Sequence, residues 1–477
     1  MHYEPVIGLE VHVQLNTATK IFCSCATVFG EEPNSQTCPV CLGLPGVLPV
    51  LNREALIKAI RAGLALNCSI SQYSKFDRKN YFYPDLPKAY QISQYDKPIC
   101  GKGYIEIDTD GATRRIGVNR VHLEEDAGKN MHSDDSANRV SFVDFNRCGV
   151  PLIEIVSEPD IATPEEAYQY LLKLKSIMKY LDVSDCNMEE GSLRCDVNVS
   201  IRPKGTTTLG EKVEVKNLNS FKAVKLSLEH EIARQKELLD DGERIHQETR
   251  LWDADRNETF SMRSKEEAHD YRYFPDPDLA PVIVDASFIA EIKDAMPELP
   301  DVKIRRFIEE YALPRYDAGV LCAVRQIAEY FESVVREGAP AKKASNWIMG
   351  ELLAGIEDPE RIGECRITPT RLAKLISLID NATISGKIAK MVFADMLESG
   401  EDPERIVESR GLKQVTDVSA IESVVDSVIE KNPASVADYR SGKEKALGFL
   451  VGQVMKLSQG KANPQIVNEL LVKKLTR

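Results

Sequence analysis

The segment VIGLEVHVQL, residues 6–15, is the clearest indication of the fold of the N-terminal half of the chain. Apolar residues alternate with polar ones along it, and Glu10 and His12 both fall on the polar side. A period of two is typical of a β-strand that packs one face on a core and leaves the other face polar. Because residues 193–202 repeat this pattern, we predict a sheet with one apolar face and one face rich in charge.

Strand-like segments continue to about residue 293, and the spacing of apolar residues becomes helical after Pro297 and Pro300. Further predicted strands are 103–108, 115–123, 140–145, 152–156 and 212–216, and the predicted helices are 53–66, 164–181 and 223–240. We therefore predict an α+β fold with three parts: an antiparallel-sheet domain (1–293), an all-α helical domain (294–405) and a small α-helical tail domain (406–477).

The composition is that of a globular chain. It has 477 residues, of which 43% are hydrophobic, and a formal net charge of −13. Such a surplus of negative charge argues against nucleic-acid binding over the whole surface. No apolar run approaches the roughly 20 residues needed to cross a bilayer, and the N-terminus does not resemble a secretion signal. We therefore expect a cytoplasmic protein without membrane contact, whose eleven cysteines stay reduced.

Four of the cysteines form two close pairs, which are Cys23 with Cys25 and Cys38 with Cys41. Two such pairs, flanked by glycine and proline, can supply four thiolates to one tetrahedral zinc ion. An ion held by four thiolates has no open coordination position, so the predicted zinc is structural. The alternative is a set of four unrelated thiols.

Acidic clusters indicate a second kind of ion site. They are Glu10 with His12, Glu124 with Glu125, and Glu189 with Glu190. Carboxylate-rich clusters suit Mg2+, which commonly bridges to nucleotide phosphates. The alternative is the solvated polar face of an antiparallel sheet.

Two segments combine cations with aromatic side chains. The first, residues 75–88, contains Arg78, Lys79, Tyr81, Phe82, Tyr83 and Lys88. The second precedes Pro275 and contains Arg263, His269, Tyr271, Arg272, Tyr273 and Phe274. Such residues can neutralise phosphates and stack on a base, although a structural loop pinned by prolines would have a similar composition. The chain has neither a P-loop nor a dinucleotide-binding motif, so a nucleotide would be bound in another way.

The end of the chain reverses the overall charge. Residues 436–477 contain eight basic and three acidic residues, a balance of +5. A basic end on an acidic protein can hold a polyanion at one place. The candidates for that contact are Lys443, Lys456 and Lys461. A solvated helical face with ordinary lysine content is the alternative.

Six ordered segments together resemble the B subunit of the tRNA-dependent amidotransferases, the GatCAB family. They are IGLEVHVQL (7–15), CPVCLGLPG (38–46), VHLEEDAGK (121–129), NRCGVPLIEIVSEPD (146–160), GSLRCDVNVS (191–200) and DYRYFP (270–275). The resemblance extends to KLSQGKANP (456–464), which is similar to the tail domain of that family. It implies that the sheet domain is shaped like a cradle.

The resemblance implies a carbon–nitrogen ligase with glutamine as the donor of the amide nitrogen. The enzyme would use ATP and Mg2+ to phosphorylate the side-chain carboxylate of misacylated Glu-tRNA(Gln) or Asp-tRNA(Asn), and ammonia would then displace the phosphate. A glutaminase-type A subunit would supply the ammonia, and a small C subunit would complete a heterotrimer.

The resemblance also implies roles for particular residues. The metal and phosphoryl-transfer site falls on Glu10, His12 and Glu125, with Glu124 and Glu190 as further candidates. The implied ammonia path is lined by Lys79 and Lys88. The four clustered cysteines match the zinc site of the family, and the basic tail is the part that contacts tRNA.

Two other classes of function fit parts of the pattern. A zinc-stabilised RNA-binding scaffold would bind tRNA without ATP turnover, and a partner would perform the chemistry. An ATP-dependent ligase for a free amino acid would have no use for the basic tail.

Overall fold

The computed structural model describes residues 2–109, 111–132, 140–262, 270–414, 418–458 and 461–476. The chain divides into two compact units, Met1–Leu299 and Pro300–Arg477. Strands and helices make up the first unit, whereas the described elements of the second are helical. The predicted α+β class is therefore confirmed.

The first unit contains the strands of the described chain and four of its helices. The strands are β1 (Tyr3–Gln14), β2 (Tyr73–Ser74), β3 (Asp77–Asn80), β4 (Tyr90–Ser93), β5 (Gly103–Thr109), β6 (Ala112–Glu125), β7 (Lys129–His132), β8 (Ser141–Asp144), β9 (Pro151–Ser157), β10 (Leu193–Pro203), β11 (Val213–Lys216), β12 (Glu248–Asp253), β13 (Glu258–Ser261), β14 (Phe274–Pro275) and β15 (Val282–Ile283). The helices are α1 (Arg53–Ala65), α2 (Pro164–Tyr180), α3 (Phe221–Asp240) and α4 (Ala286–Asp294).

Eight of these strands form one sheet in the order β13-β12-β11-β10-β1-β9-β6-β5. Neighbouring strands run antiparallel except for β11 and β12, which are parallel. This exception to the predicted arrangement follows from the connection, because helix α3 returns the chain to the end of the sheet at which β11 began. Strand β1 lies inside the sheet, between β10 and β9.

One face of this sheet carries the core of the first unit. Leu9 and Val11 of β1 are buried there with Ile155 of β9 and Val197 of β10. Helices α1, α2 and α3 pack on this core and contact β6, β5 and β10, respectively. The side chain that precedes each helix accepts a hydrogen bond from the first turn, and these capping residues are Asn52, Thr163 and Ser220. The opposite face is left for the polar side chains of the same strands.

The second unit is built from helices around two separate apolar clusters. The helices are α5 (Pro300–Tyr311), α6 (Arg315–Leu321), α7 (Arg325–Arg336), α8 (Ala341–Trp347), α9 (Pro369–Asp380), α10 (Gly386–Ser399), α11 (Pro403–Ser409), α12 (Val418–Lys431), α13 (Pro433–Arg440), α14 (Lys445–Leu457) and α15 (Pro464–Leu475). A π-helical turn (Ile348–Leu352) and two 3-10 segments (Leu353–Gly355 and Pro359–Glu364) complete it. One cluster runs from Phe307 to Val407 and the other from Ile421 to Leu475.

Among the residues that the structure describes, no helix is long and apolar enough to cross a bilayer.

The burial of β1 predicts a stability effect. Leu9 is 1% exposed in the sheet core, whereas Leu172 on α2 is 38% exposed. We expect Leu9→Ala to lower the free energy of unfolding of the first unit by about 2–5 kcal/mol, because the change leaves a cavity. Leu172→Ala should lower it by about 0.5 kcal/mol or less. Urea unfolding measures both in a Trp347→Phe background, where Trp252 remains as the reporter because the chain has two tryptophans. Equal effects of the two substitutions would contradict the assigned core.

Candidate active site and metal centre

The register of three neighbouring strands sets a row of polar side chains across the sheet. His12 of β1 lies opposite Glu154 of β9, and Glu154 lies opposite His122 of β6. Because these residues are cross-strand partners, their side chains project from the same face. The face is the one opposite the apolar core.

The row forms a compact cluster of imidazoles and carboxylates. Glu154 Oε2 lies 3.2 Å from His12 Nε2 and 3.4 Å from His122 Nε2. Glu124 Oε2 lies 3.3 Å from His122 Nε2 and accepts a hydrogen bond of 2.9 Å from Ser93 Oγ. One ligand atom from each of His12, Glu124 and Glu154 lies within 4.8 Å of the others. Two carboxylates and an imidazole at this spacing fit a divalent cation such as Mg2+.

Protons balance the charge of the cluster. Burial lowers the pKa of His122, but Glu154 and Glu124 outweigh burial and raise that pKa to about 9. Burial raises the pKa of Glu154, but His122 and His12 outweigh it and hold the pKa of this carboxyl well below its usual range. The pKa of His12 is likewise raised, because Glu154 outweighs burial. A cation that bound here would displace a proton from His12, since a metal binds the neutral imidazole.

The structure separates the two glutamates that the sequence places side by side. Glu124 joins the cluster, whereas Glu125 accepts a hydrogen bond of 2.8 Å from the Ile92 amide and pairs with Lys88. Consecutive residues of a strand point to opposite faces, and this explains the separation. His12 and Glu124 are therefore brought together, and Glu125 is not part of their cluster.

Glu10 lies on the same face as His12 but outside the cluster. Its Oε1 accepts a hydrogen bond of 2.9 Å from Asn198 Nδ2. Burial raises the pKa of Glu10, and Glu154 and Glu214 raise it further. Burial and the neighbouring acids therefore favour the protonated, neutral form of the Glu10 carboxyl.

His122 and Glu154 are members of the cluster that sequence reasoning missed. Both stand in segments that carry the family resemblance, HLEED and LIEIV. The signal that would have found them is the pairing of β1 with β9 and of β9 with β6, because only the register places the two residues beside His12. A single sequence does not supply that register.

A cleft of about 540 Å³ opens beside the row and contains Glu190 on its wall. Three cations also line it, and they are Lys129, Arg147 and Arg194. Arg194 is held by Asp126 through two hydrogen bonds of 2.8 and 3.0 Å. Its volume and its cations make the cleft suitable for a ligand with phosphate groups.

The two segments that mix cations with aromatic residues meet in space. Lys79 Nζ lies 4.8 Å from the centre of the Tyr271 ring, and the Asn80 amide donates to Tyr271 O at 2.9 Å. Tyr273 stacks on Tyr95 with ring centres 4.3 Å apart. Burial raises the pKa of Tyr273, and Glu124 and Glu154 raise it further, so this ring lies beside the carboxylate cluster. Arg263 and His269, which belong to the second segment, lie outside the described residues.

The four clustered cysteines converge as the zinc prediction requires. The Sγ atoms of Cys23, Cys25, Cys38 and Cys41 all lie within 4.8 Å of one another. Lys20 is fully buried, and its Nζ lies 3.7 Å from Cys41 Sγ and 3.2 Å from Phe145 O. A buried ammonium needs a negative partner, and a zinc-bound thiolate provides one. The donor set and its buried cation therefore fit a structural zinc ion.

Comparison with known proteins covers both units. The family model described as GatB/GatE catalytic domain matches residues 5–290, and the one described as GatB domain matches residues 329–475. A protein from Carboxydothermus hydrogenoformans, named as the B subunit of an aspartyl/glutamyl-tRNA(Asn/Gln) amidotransferase, is 59% identical over 100% of this chain and 99% of its own length. Proteins of the same name are 59% identical in Caldanaerobacter subterraneus, over 100% of both chains, and 56% identical in Thermodesulfovibrio yellowstonii, over 99% of both.

The buried contact of Lys20 predicts an effect on metal binding by the cysteine cluster, with zinc as the predicted ion. We expect Lys20→Met to speed the loss of zinc to a chelator roughly 10- to 100-fold, because the charge that offsets the thiolates is removed. Lys102→Met removes the same charge from a side chain that is 83% exposed and should not change the rate. A chromogenic chelator measures both rates. Zinc loss from Lys20→Met at the wild-type rate, with an unchanged circular dichroism spectrum, would contradict this role.

Proposed function

The chain belongs to the B-subunit family of aspartyl/glutamyl-tRNA(Asn/Gln) amidotransferases, and we propose that it acts as a carbon–nitrogen ligase that amidates misacylated Glu-tRNA(Gln), misacylated Asp-tRNA(Asn) or both. It works as one part of a larger complex, as the name of its relatives implies. A glutaminase-type A subunit supplies ammonia from glutamine, and a small C subunit completes the assembly. The observation that carries the proposal is the cluster of His12, Glu124 and Glu154 beside a cleft lined by cations.

The reaction proceeds in two transfers. An oxygen of the side-chain carboxylate attacks the γ-phosphorus of ATP, and the bond to ADP breaks. Ammonia then attacks the carbonyl carbon of the acyl phosphate, inorganic phosphate leaves with the electron pair of the C–O bond, and one proton passes from nitrogen to a base. Phosphorylation is needed because an oxide ion is a far poorer leaving group than phosphate. The protein contributes mainly by positioning the groups and by stabilising charge.

His12, Glu124 and Glu154 are the residues that would hold Mg2+ in this reaction. When bound, the ion would offset the negative charge of the phosphoryl oxygens. Ser93 fixes the Glu124 carboxylate through its hydroxyl, and His122 contacts both carboxylates from the side. Burial and the nearby Glu154 carboxylate raise the pKa of Glu10, so Glu10 is suited to take up a proton at this site.

The cleft beside the cluster is suited to the phosphates of ATP. Arg194, Arg147 and Lys129 reach it from three separate segments of the chain. Asp126 accepts hydrogen bonds from Arg194 and, at 2.7 Å, from Gln14 Nε2. The guanidinium of Arg194 is therefore held in place before a ligand binds. Glu190 lies on the same wall and is exposed. We therefore propose Glu190 as a residue of the nucleotide site and not of the cluster around His12.

Lys79 and Lys88 are proposed to line the path of ammonia. Lys88 pairs with Glu125 beside a small pocket of about 170 Å³, next to the cysteine cluster. Lys79 lies over the Tyr271 ring at the edge of the carboxylate cluster. The buried ion pair of Lys88 with Glu125 offers a hydrogen-bond donor and an acceptor to ammonia beside this pocket. We assign the same pathway to Glu125 for this reason.

The zinc ion is proposed to hold the cysteine cluster together and to take no part in the reaction. The tail is proposed to bind tRNA through Lys443, Lys456 and Lys461. Lys456 is exposed on α14, and Lys443 is exposed and lies 2.8 Å from Asp438. Ammonium groups on the surface of a helical tail can neutralise backbone phosphates.

The metal site predicts a loss that added ammonia does not repair. We expect His12→Ala and Glu124→Gln each to lower ATP-dependent amidation by roughly 100-fold or more, since each removes a proposed ligand of the ion. The assay supplies the assembled complex with ammonium, ATP and misacylated tRNA, and chromatography identifies the amino acid released from the tRNA. Glu106→Gln on β5, which is exposed on the same sheet, is the matched control. Full activity of both variants would remove the proposed site, and tRNA binding without ATP turnover by the wild type would favour a scaffold.

The same assay should include Glu10→Gln and Glu125→Gln, because these two glutamates lie outside the cluster of His12, Glu124 and Glu154. Loss of activity with ammonium as well as with glutamine would assign the residue to phosphoryl transfer. Loss with glutamine alone would assign it to the ammonia path.

The tail predicts a change in the salt dependence of tRNA binding. We expect replacement of Lys443, Lys456 and Lys461 by alanine to weaken binding and to lower the slope of log Kd against log salt by roughly two to three, one for each lost phosphate contact. The control replaces Lys343, Lys374 and Lys390, which carry the same charge and lie outside the tail. Filter binding at several salt concentrations gives both slopes. Identical slopes for the two triple variants would contradict the assignment to the tail.

A further inference from the structure

Gly43, which follows the second cysteine pair, lies against a lysine of the proposed ammonia path. Its φ is +65°, and a Cβ atom built on it would lie 2.2 Å from Lys88 Cγ and 3.2 Å from Lys88 Cβ. Two carbon atoms that are not bonded to each other cannot lie 2.2 Å apart. Cβ and Cγ stand next to the Lys88 backbone, so they cannot move aside as the tip of a flexible side chain can. Only a residue without a side chain therefore allows the stem of Lys88 to lie where it does.

The other end of Lys88 is fixed as well. Its Nζ pairs with Glu125, and it lies 5.4 Å from the centre of the Tyr90 ring. Both partners of the ion pair are buried, with side chains 6% and 2% exposed. Glu125 is itself held by the Ile92 amide at 2.8 Å. The stem rests on Gly43 and the head on Glu125, so one conformation of a flexible side chain is selected.

Several contacts also anchor the cysteine cluster to the sheet domain. Cys148 Sγ donates to Cys41 O at 3.4 Å, and the Ile21 amide donates to Gly149 O at 2.9 Å. Lys20 joins Cys41 to the carbonyl of Phe145. These contacts therefore hold the segment that carries Gly43 in place relative to the sheet. Because Gly43 is fixed, it can restrict the conformations that the Lys88 side chain adopts.

We propose that the cysteine knuckle, defined as residues 38–43, is the positioning element of Lys88 and holds this lysine on Glu125. A lysine has four rotatable side-chain bonds, and a buried ion pair is favourable only when its geometry is fixed. The bare backbone of Gly43 supplies that geometry. Disorder of the knuckle, through loss of its ion or by substitution, would release Lys88 from Glu125. The functional part of this inference rests on the proposed function, which assigns Lys88 to the ammonia path.

The test compares Gly43→Ala with Gly46→Ala in the assembled complex. Both glycines have positive φ, +65° and +85°, so both substitutions strain the backbone, but nothing lies within 4 Å of a Cβ at Gly46. Reductive methylation followed by peptide mass spectrometry reports the accessibility of Lys88, with the exposed Lys102 as internal reference. We expect Lys88 to be modified faster in Gly43→Ala by on the order of tenfold, and at the wild-type rate in Gly46→Ala. Equal modification of Lys88 in the two variants would overturn the proposal.

A double substitution covers the case in which Gly43→Ala assembles poorly. The melting temperature should fall further for Gly43→Ala than for Gly46→Ala in the wild-type background. In a Lys88→Ala background the Cγ contact is removed and only the Cβ contact of 3.2 Å remains, so the difference in melting temperature between the two glycine substitutions should shrink. A difference of the same size without the lysine would show that Gly43 acts through another contact, and the proposal would fail.

Activity separates this inference from the proposed function. The ratio of glutamine-supported to ammonium-supported amidation should fall in Gly43→Ala and stay unchanged in Gly46→Ala. If Lys88 becomes accessible in Gly43→Ala but the ratio does not change, the positioning role stands and the assignment of Lys88 to the ammonia path fails. If neither changes, the positioning role fails and the proposed function is untouched.

Discussion

An ionised carboxylate can lie inside a protein only if opposite charge meets it there, and the Glu154 side chain shows how this sheet meets that condition. Glu154 lies between His12 and His122, which are presented by the strands on either side of β9. The arrangement exists because β1 and β6 both pair with β9 in a fixed register. The apolar half of the same strands keeps that register, since a slip by one residue would turn every core side chain outward.

The remaining parts of the first unit are organised around this face. Helices α1 to α3 pack on the apolar side, and the row of His12, Glu154 and His122 lies on the polar side. Tyr273 stacks on Tyr95, and Arg78 Nε of β3 lies 2.8 Å from Asp276 Oδ2. Cations from three separate segments reach the cleft beside the row. The sheet thus fixes the imidazoles and carboxylates of the cluster, and the segments around it add cations and aromatic rings.

Local patterns predicted the parts of this structure that depend on neighbours in sequence. Alternation predicted β1 and β10, and periodicity predicted α1 and α2 to within a few residues of their ends. The spacing of the cysteines predicted their convergence, because each pair lies on a short turn. The resemblance of six segments predicted the family, and the comparisons confirm it.

What the sequence did not reveal depends on contacts between distant segments. Short strands such as β3 and β4 have too few residues to show a period, and the parallel pairing of β11 with β12 depends on where α3 returns the chain. Glu124 and Glu125 are adjacent in sequence, and only the orientation of β6 shows that one faces His122 and the other Lys88. Gly43 and Lys88 lie in separate segments of the chain, and the packing of the whole first unit brings them into contact.

The two proposed ion sites differ in how their charge is balanced. The row of imidazoles and carboxylates carries its counter-charge within the sheet, because His122 has a raised pKa and lies beside both Glu124 and Glu154. Cysteine thiols are neutral while they hold their protons, and the buried Lys20 side chain lies against Cys41. A zinc ion at the cysteine cluster would have to replace those protons, so its binding would weaken as the pH falls.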